Sequence, residues 1–204
     1  VLTRLKLKRS LADRTEKLSA LYDVISAATD APDIRTTLEW SLKSVLEAME
    51  GDAGMIQLIN DFDEEAEVES LRLVASTGLS EATCERLATM PINSGLTGWA
   101  MTQDGPLLVS DISSAPQAMA DVLENTDFKA YIGIAMHVRD RAVGVLSVLE
   151  QEERRFSDIE IGLMSAVGDQ IGVVVENAYL HHQAEELAVI EERTRLAREL
   201  HDSV

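Results

Sequence analysis

Two apolar runs near the middle of the chain, "YIGIAMHV" and "RAVGVLSVLEQ", are separated only by the polar turn Arg139–Arg141. Runs this apolar, this close together and joined by so short a turn read as a β-hairpin. Whatever else the chain does, it must build a sheet around this pair.

The rest of the pattern fits such a sheet. Leu38, Leu42, Val45, Leu46 and Met49 fall on one face of a helix from Ile34 to Met49, with Asp33 as its N-cap. "GDAGMIQLIN" reads as a first strand. "SLRLVAST" reads as a second, alternating Leu71, Leu73 and Ala75 against Arg72 and Val74. The acidic stretch Asp61–Glu69 between them reads as a loop. Ser80 caps a short helix, Glu81–Ala88, which holds Cys84. "INSGLTGWAMTQDG" reads as a loop with a helical turn, "PLLVSDI" as a third strand, and "SSAPQAMADVLENTDF" as loop plus helix. After the hairpin, Ser157 with Glu160 three residues later forms a capping box, and the pattern from there to Val204 is helical. Strands joined by short turns at both ends, with helices segregated in sequence, predict an α+β fold on a mainly antiparallel sheet.

Before this core, residues 4–28 carry Leu7, Leu11, Leu18, Leu21 and Ile25 at coiled-coil spacing, with Arg4 and Arg14 as weak seam positions. Ala31 before Pro32 ends that helix. In the closing helix Met164, Val167, Ile171, Val174 and Ala178 follow one a/d register. Leu187, Ile190, Thr194 and Ala197 follow another, shifted by two residues, so a stutter is expected between Leu180 and Glu185. The expected division is a coiled-coil helix over 1–28, an α+β domain over 29–180, and a linker helix over 181–204. The long apolar stripes predict a parallel homodimer.

Composition excludes several functions. Lys and Arg number 18 against 36 Asp and Glu, a net charge of −18. That is the wrong sign for a nucleic-acid surface. Interleaved Glu191, Glu192 and Glu199 make Arg193, Arg195 and Arg198 a salt-bridged helix face rather than a basic patch. The single cysteine, Cys84, rules out a disulfide within the chain and points to a reducing, cytoplasmic setting. No apolar run approaches the ~20 residues of a membrane span, and there is no signal peptide. The chain begins without Met, in mid-pattern, so both ends read as cuts in something longer. Arg4, Lys6, Lys8 and Arg9 fit either a solvated helix start or the cytoplasmic flank of a span upstream, which would tether the parent protein to the inner membrane.

Several site motifs fail. Counted from Asp61 as an EF-hand, Ala66 stands where Gly is needed and Arg72 where Glu is needed. Adjacent His181 and His182 point about 100° apart on a helix, which does not make a metal site. His137, near a strand end, reads as structural, and Cys84 as an apolar helix position. No metal is expected.

"MPINSGLTGWAMTQDGPLLVSDI", the hairpin, and "RRFSDIEIGLMSAVGDQIGVVVENAYL" together resemble the GAF domain family over residues 20–182. The one departure is Ala135, where members often have Pro. The resemblance implies a central antiparallel sheet with the terminal helices on one face and a small-molecule pocket on the other. It leaves the ligand unknown. The tail "ERTRLARELHDSV" resembles the phosphoacceptor segment of nitrate-sensor-like histidine kinases, matching throughout Glu192–Asp202. That resemblance implies His201 as phosphoacceptor and Asp202 as general base. It also implies ATP bound by a domain beyond this chain and a response regulator as partner. Two other readings compete. One is a stand-alone GAF ligand-binding or scaffold dimer. The other is an enzyme such as a methionine sulfoxide reductase, whose chemistry one cysteine does not supply.

Overall fold

The computed structural model describes residues 34–59, 69–116, 123, 126–139 and 141–202. The expected N-terminal helix over 4–28, the Ala31–Pro32 break, the Asp33 cap and most of the acidic loop lie outside them. So does nearly all of the helix expected after Ala115.

Helix α1 (Ile34–Met49) buries Leu38, Leu42, Val45, Leu46 and Met49, the face its spacing predicts. Strands β1 (Ala53–Ile59) and β2 (Ser70–Thr77) follow, then α2 (Glu81–Leu87), β3 (Thr89–Pro91), α3 (Gly95–Met101) and β4 (Leu107–Val109). A 3-10 turn at Ile112–Ser114 precedes the hairpin of β5 (Ala130–Val138) and β6 (Arg141–Glu150). Helix α4 runs unbroken from Asp158 to Asp202. The six strands form one antiparallel sheet in the order β3-β2-β1-β6-β5-β4, so the hairpin lies inside it.

Both faces of that hairpin are covered, which is why its strands are apolar almost throughout. Ile132, Ile134, Met136, Leu146 and Val148 face α1 and α4. Tyr131, Val145 and Leu149 face the layer built by α2 and α3. Each large apolar side chain fully buried here stabilises the fold by roughly 1.5–3 kcal/mol.

Two details depart from the sequence pattern. Strand β3 has no counterpart in the expected element order. Three residues are too few to show a period, and Pro91 sits at the sheet edge, where a missing N–H costs nothing. In β2 the expected alternation breaks at Val74. The register slips between Ile56 and Gln57, so Ala75 pairs with Ile56 and Leu73 with Gln57. Val74 is then the extra residue of a bulge, and it packs with Ala75 on the α1–α4 side while Leu73 packs on the other.

The capping box forms as its residues predict. Glu160 Oε2 accepts from the Ser157 N–H at 2.8 Å and from the Ser157 hydroxyl at 2.7 Å. Further along α4, Met164, Val167 and Ile171 are buried against the chain's own sheet. These three positions of the first register therefore serve the domain core. The helix can lie this close because of Gly172. A Cβ there would meet the His137 carbonyl oxygen at 2.5 Å, a backbone atom that no rotamer change can move.

A pair of substitutions tests that contact. Gly172→Ala gains about 1 kcal/mol of helix propensity but forces α4 off β5, and overpacking costs about 1–3 kcal/mol. With backbone as the obstacle the second effect wins, so Tm falls by several degrees. Gly162→Ala has nothing within 4 Å of the new methyl, so the same substitution there raises Tm. Thermal unfolding of the two variants side by side checks both signs.

Candidate functional site

Three regions carry polar or accessible features. The first is the sheet face covered by α2 and α3. Tyr131 is wholly buried there, folded over Gly133 so closely that a Cβ on Gly133 would lie 2.1 Å from the phenol oxygen. The hydroxyl shares a 3.0 Å hydrogen bond with Ser147 Oγ, and burial holds its pKa above the usual phenol range. Gln57, also fully buried, donates from Nε2 to the Leu87 carbonyl at 3.1 Å, while its Oε1 has no donor among the described residues. This is the face on which a ligand pocket is expected. On its described part, the room beside Gly133 is filled by the chain's own Tyr131.

The second region lies on the opposite face. A groove of about 1150 Å³ opens where α1, the ends of β1 and β2, the hairpin turn and α4 meet. Leu38, Leu58, Val74 and Val175 form its apolar floor. Among the described residues, Arg35, Arg72, Arg139 and Arg141 stand around it with one carboxylate, Glu176. Arg139 approaches Glu176 at 3.6 Å, and Arg35 approaches Glu39 at 3.9 Å. Arg72 is exposed on β2 and has no ion-pair partner among the described residues. No sequence motif marks these four arginines. They lie on three separate segments, and only the strand register brings them together.

The third region is the entry to α4. Glu150, at the end of β6, is buried beside Arg154, with a 3.4 Å ion-pair contact. Arg154 also hydrogen-bonds Glu160 and lies over the Phe156 ring at 5.1 Å. Burial pushes the Glu150 carboxyl from its ordinary 4.5 up to about 7. Arg154 opposes the rise, and the Asp52 and Glu160 carboxylates add to it. Burial alone would raise Glu160 as well, but the Ser157 N–H and hydroxyl, with Arg154, hold it below its ordinary value.

The signs separate the two groups. Between about pH 4.5 and 7 the folded state keeps the Glu150 proton and the unfolded state does not, so stability falls as pH rises through that window. Glu160 acts the other way: its contribution is present above its ordinary pKa and is lost as pH falls below it. Glu150→Gln is therefore expected to raise Tm at pH 8 and to flatten the decline between pH 5 and 7. Thermal unfolding against pH, variant beside wild type, measures it. Equal slopes for the two would show that Glu150 is not the group responsible.

The remaining sequence candidates are placed as follows. The backbone of α4 reaches His201 and Asp202, whose side chains lie outside the described part. His137 is exposed, with Nδ1 3.1 Å from the Ala135 carbonyl. Cys84 is half-buried, 3.5 Å from Ser76 Oγ. Among the described residues no cluster of His, Cys, Asp or Glu could hold a metal ion, and no helix is long and apolar enough to cross a membrane. Past the core, α4 exposes Leu180, Leu187 and Ile190, each at least half accessible.

Comparison with known proteins agrees with this architecture. The chain is 28% identical over 198 residues to the sensor histidine kinase YhcY of Bacillus subtilis (strain 168), an alignment covering 94% of this chain. It spans about half (50%) of that relative's length. Among solved structures, the GAF domain of a phosphoenolpyruvate-protein phosphotransferase from Coxiella burnetii superposes with a TM-score of 0.70 at 18% identity, covering 83% of this chain and 96% of that one. A domain of a two-component sensor histidine kinase protein from Sinorhizobium meliloti 1021 superposes at 0.62 and 20% identity, covering 76% and 99%. At these identities the structures establish the fold alone. Residues 33–175 match the GAF domain profile, and with a six-stranded antiparallel sheet flanked by helices, the chain belongs to the GAF domain family.

Proposed function

We propose that this chain is the sensory and dimerisation part of a two-component sensor histidine kinase. In this reading the GAF domain biases the packing of α4 helices in a parallel homodimer. His201, near the end of that helix, is phosphorylated from ATP and passes the phosphate to a response regulator. The ATP-binding domain lies beyond this chain, and an inner-membrane anchor lies upstream. The carrying observation is the continuity of α4: one helix starts with residues buried in the domain core and ends in the "ELHD" word. Its exposed Leu180, Leu187 and Ile190 offer a partner helix an apolar seam. The kinase relative, similar along almost the whole chain, supports the same reading.

The chemistry asks for little more than position. Phosphoryl transfer to histidine needs a neutral imidazole nitrogen in line with the γ-phosphate. Asp202, the next residue, would take or hold the proton on the other ring nitrogen and so keep the attacking nitrogen free. The alternative is a GAF ligand-binding or scaffold dimer without a kinase role. The exposed apolar stripe would serve that dimer equally well. Incubating the parent protein with labelled ATP separates the two. The kinase reading expects acid-labile phosphate on the peptide that contains His201, and the scaffold reading expects none.

A further inference from the structure

We propose that the groove between α1, the hairpin turn and α4 binds an amphiphilic anion, a carboxylate head on a straight hydrocarbon chain. Its floor is apolar, and its volume lies slightly above the roughly 300–1,000 Å³ of ordinary small-molecule sites. Among the described residues its edge carries four guanidiniums and one carboxylate, in a chain whose net charge is −18. So local a reversal of sign is not explained by solubility, which the acidic surface already provides. Guanidinium groups match carboxylates with two parallel hydrogen bonds, whereas an apolar floor rewards a chain of methylenes at about 0.8 kcal/mol each. The two features together select a ligand with a charged head and an apolar tail.

Charge also weighs against the nearest competing occupant. Residues 1–28 lead toward Ile34, which lines the groove, but they carry Arg4, Lys6, Lys8, Arg9, Arg14 and Lys17 against only Asp13, Glu16 and Asp23. A basic segment is a poor complement to an arginine edge. The groove also has a position suited to sensing. Val175, Glu176, Tyr179 and Leu180 belong to its wall and to α4, at the point where the helix passes from buried to exposed. A tail lying on the floor touches α1, the sheet and α4 together. The binding claim does not rest on the phosphoacceptor reading, because it concerns the isolated chain.

The test is calorimetric titration of the 204-residue chain with laurate below its micellar concentration. Dodecyltrimethylammonium is the control for charge and acetate the control for the tail. Laurate is expected to bind at one site per chain and both controls at least about tenfold more weakly. Arg72→Glu combined with Arg139→Glu, both on the exposed surface, should weaken laurate about tenfold or more, with Tm lowered by no more than a few degrees because in the Arg139–Glu176 pair it breaks the arginine is largely exposed. Val143→Trp, at the groove wall, should block it. If that variant does not fold, the arginine pair still decides. Three results overturn the proposal. One is no uptake by the intact chain, as when residues 1–28 fill the groove. Another is equal binding of the cationic amphiphile. The third is a charge-reversed pair that dissociates a dimer while laurate never binds, which would make a second copy the occupant.

Discussion

In the full-length protein, His201→Gln is expected to abolish the acid-labile phosphate label, and Asp202→Asn to slow its appearance by about 100-fold or more while leaving the assembly intact. The two losses differ in kind. Glutamine has no ring nitrogen, so the acceptor atom itself is gone. Asparagine keeps the shape of the aspartate but cannot take a proton, and a positioned general base contributes roughly 10²–10⁴-fold to such a step. Labelling with radioactive ATP, a quench in base and sedimentation of the same samples supply the three readouts. Acid-labile phosphate persisting in the His201 variant would refute the assignment.

A second large effect is expected from changing the length of α4. Seven residues inserted after Gln183 restore the phase of an a/d pattern, so regulated phosphorylation should survive. Four residues rotate everything downstream by about 40° relative to the core, and the kinase should then be locked on or off. The structure sharpens the reason. Met164, Val167 and Ile171 are held by the domain's own sheet, whereas Leu187 and Ile190 face solvent. The start of the first register therefore serves the domain core, and in the proposed dimer the second would serve helix pairing. Their junction near Leu180–Glu185 is where one gives way to the other. Phosphorylation assays on the two insertion variants, with and without stimulus, decide. Unaltered regulation in the four-residue variant means the helix is not the conduit.

What could be read from residues alone followed from how local its causes are. The hairpin, α1 and the Ser157–Glu160 cap depend on spacings of two to four residues, and all three formed as spaced. Strand β3 and the Val74 bulge were not legible, because pairing with a neighbour defines them and their own residues do not. The groove was equally hidden. Arg35, Arg72 and Arg139 stand far apart in sequence, and the register of β2 and the hairpin puts them around one opening. In the sequence Tyr131 is one more residue of the apolar hairpin run "YIGIAMHV". Only the fold shows its ring lying back over Gly133.

The close approach of Gly172 to the His137 carbonyl also sets a mechanical scale. It acts as a fulcrum: upstream of it α4 is clamped by the core, and downstream about 30 residues of helix project as a lever roughly 45 Å long. A tilt of only about 2° at Gly172 would displace the far end by approximately 1.5 Å, a shift of the size that helices make at switching interfaces. In the proposed signalling reading, small rearrangements within the domain, too slight to alter its fold, would be magnified in this way at the position of His201.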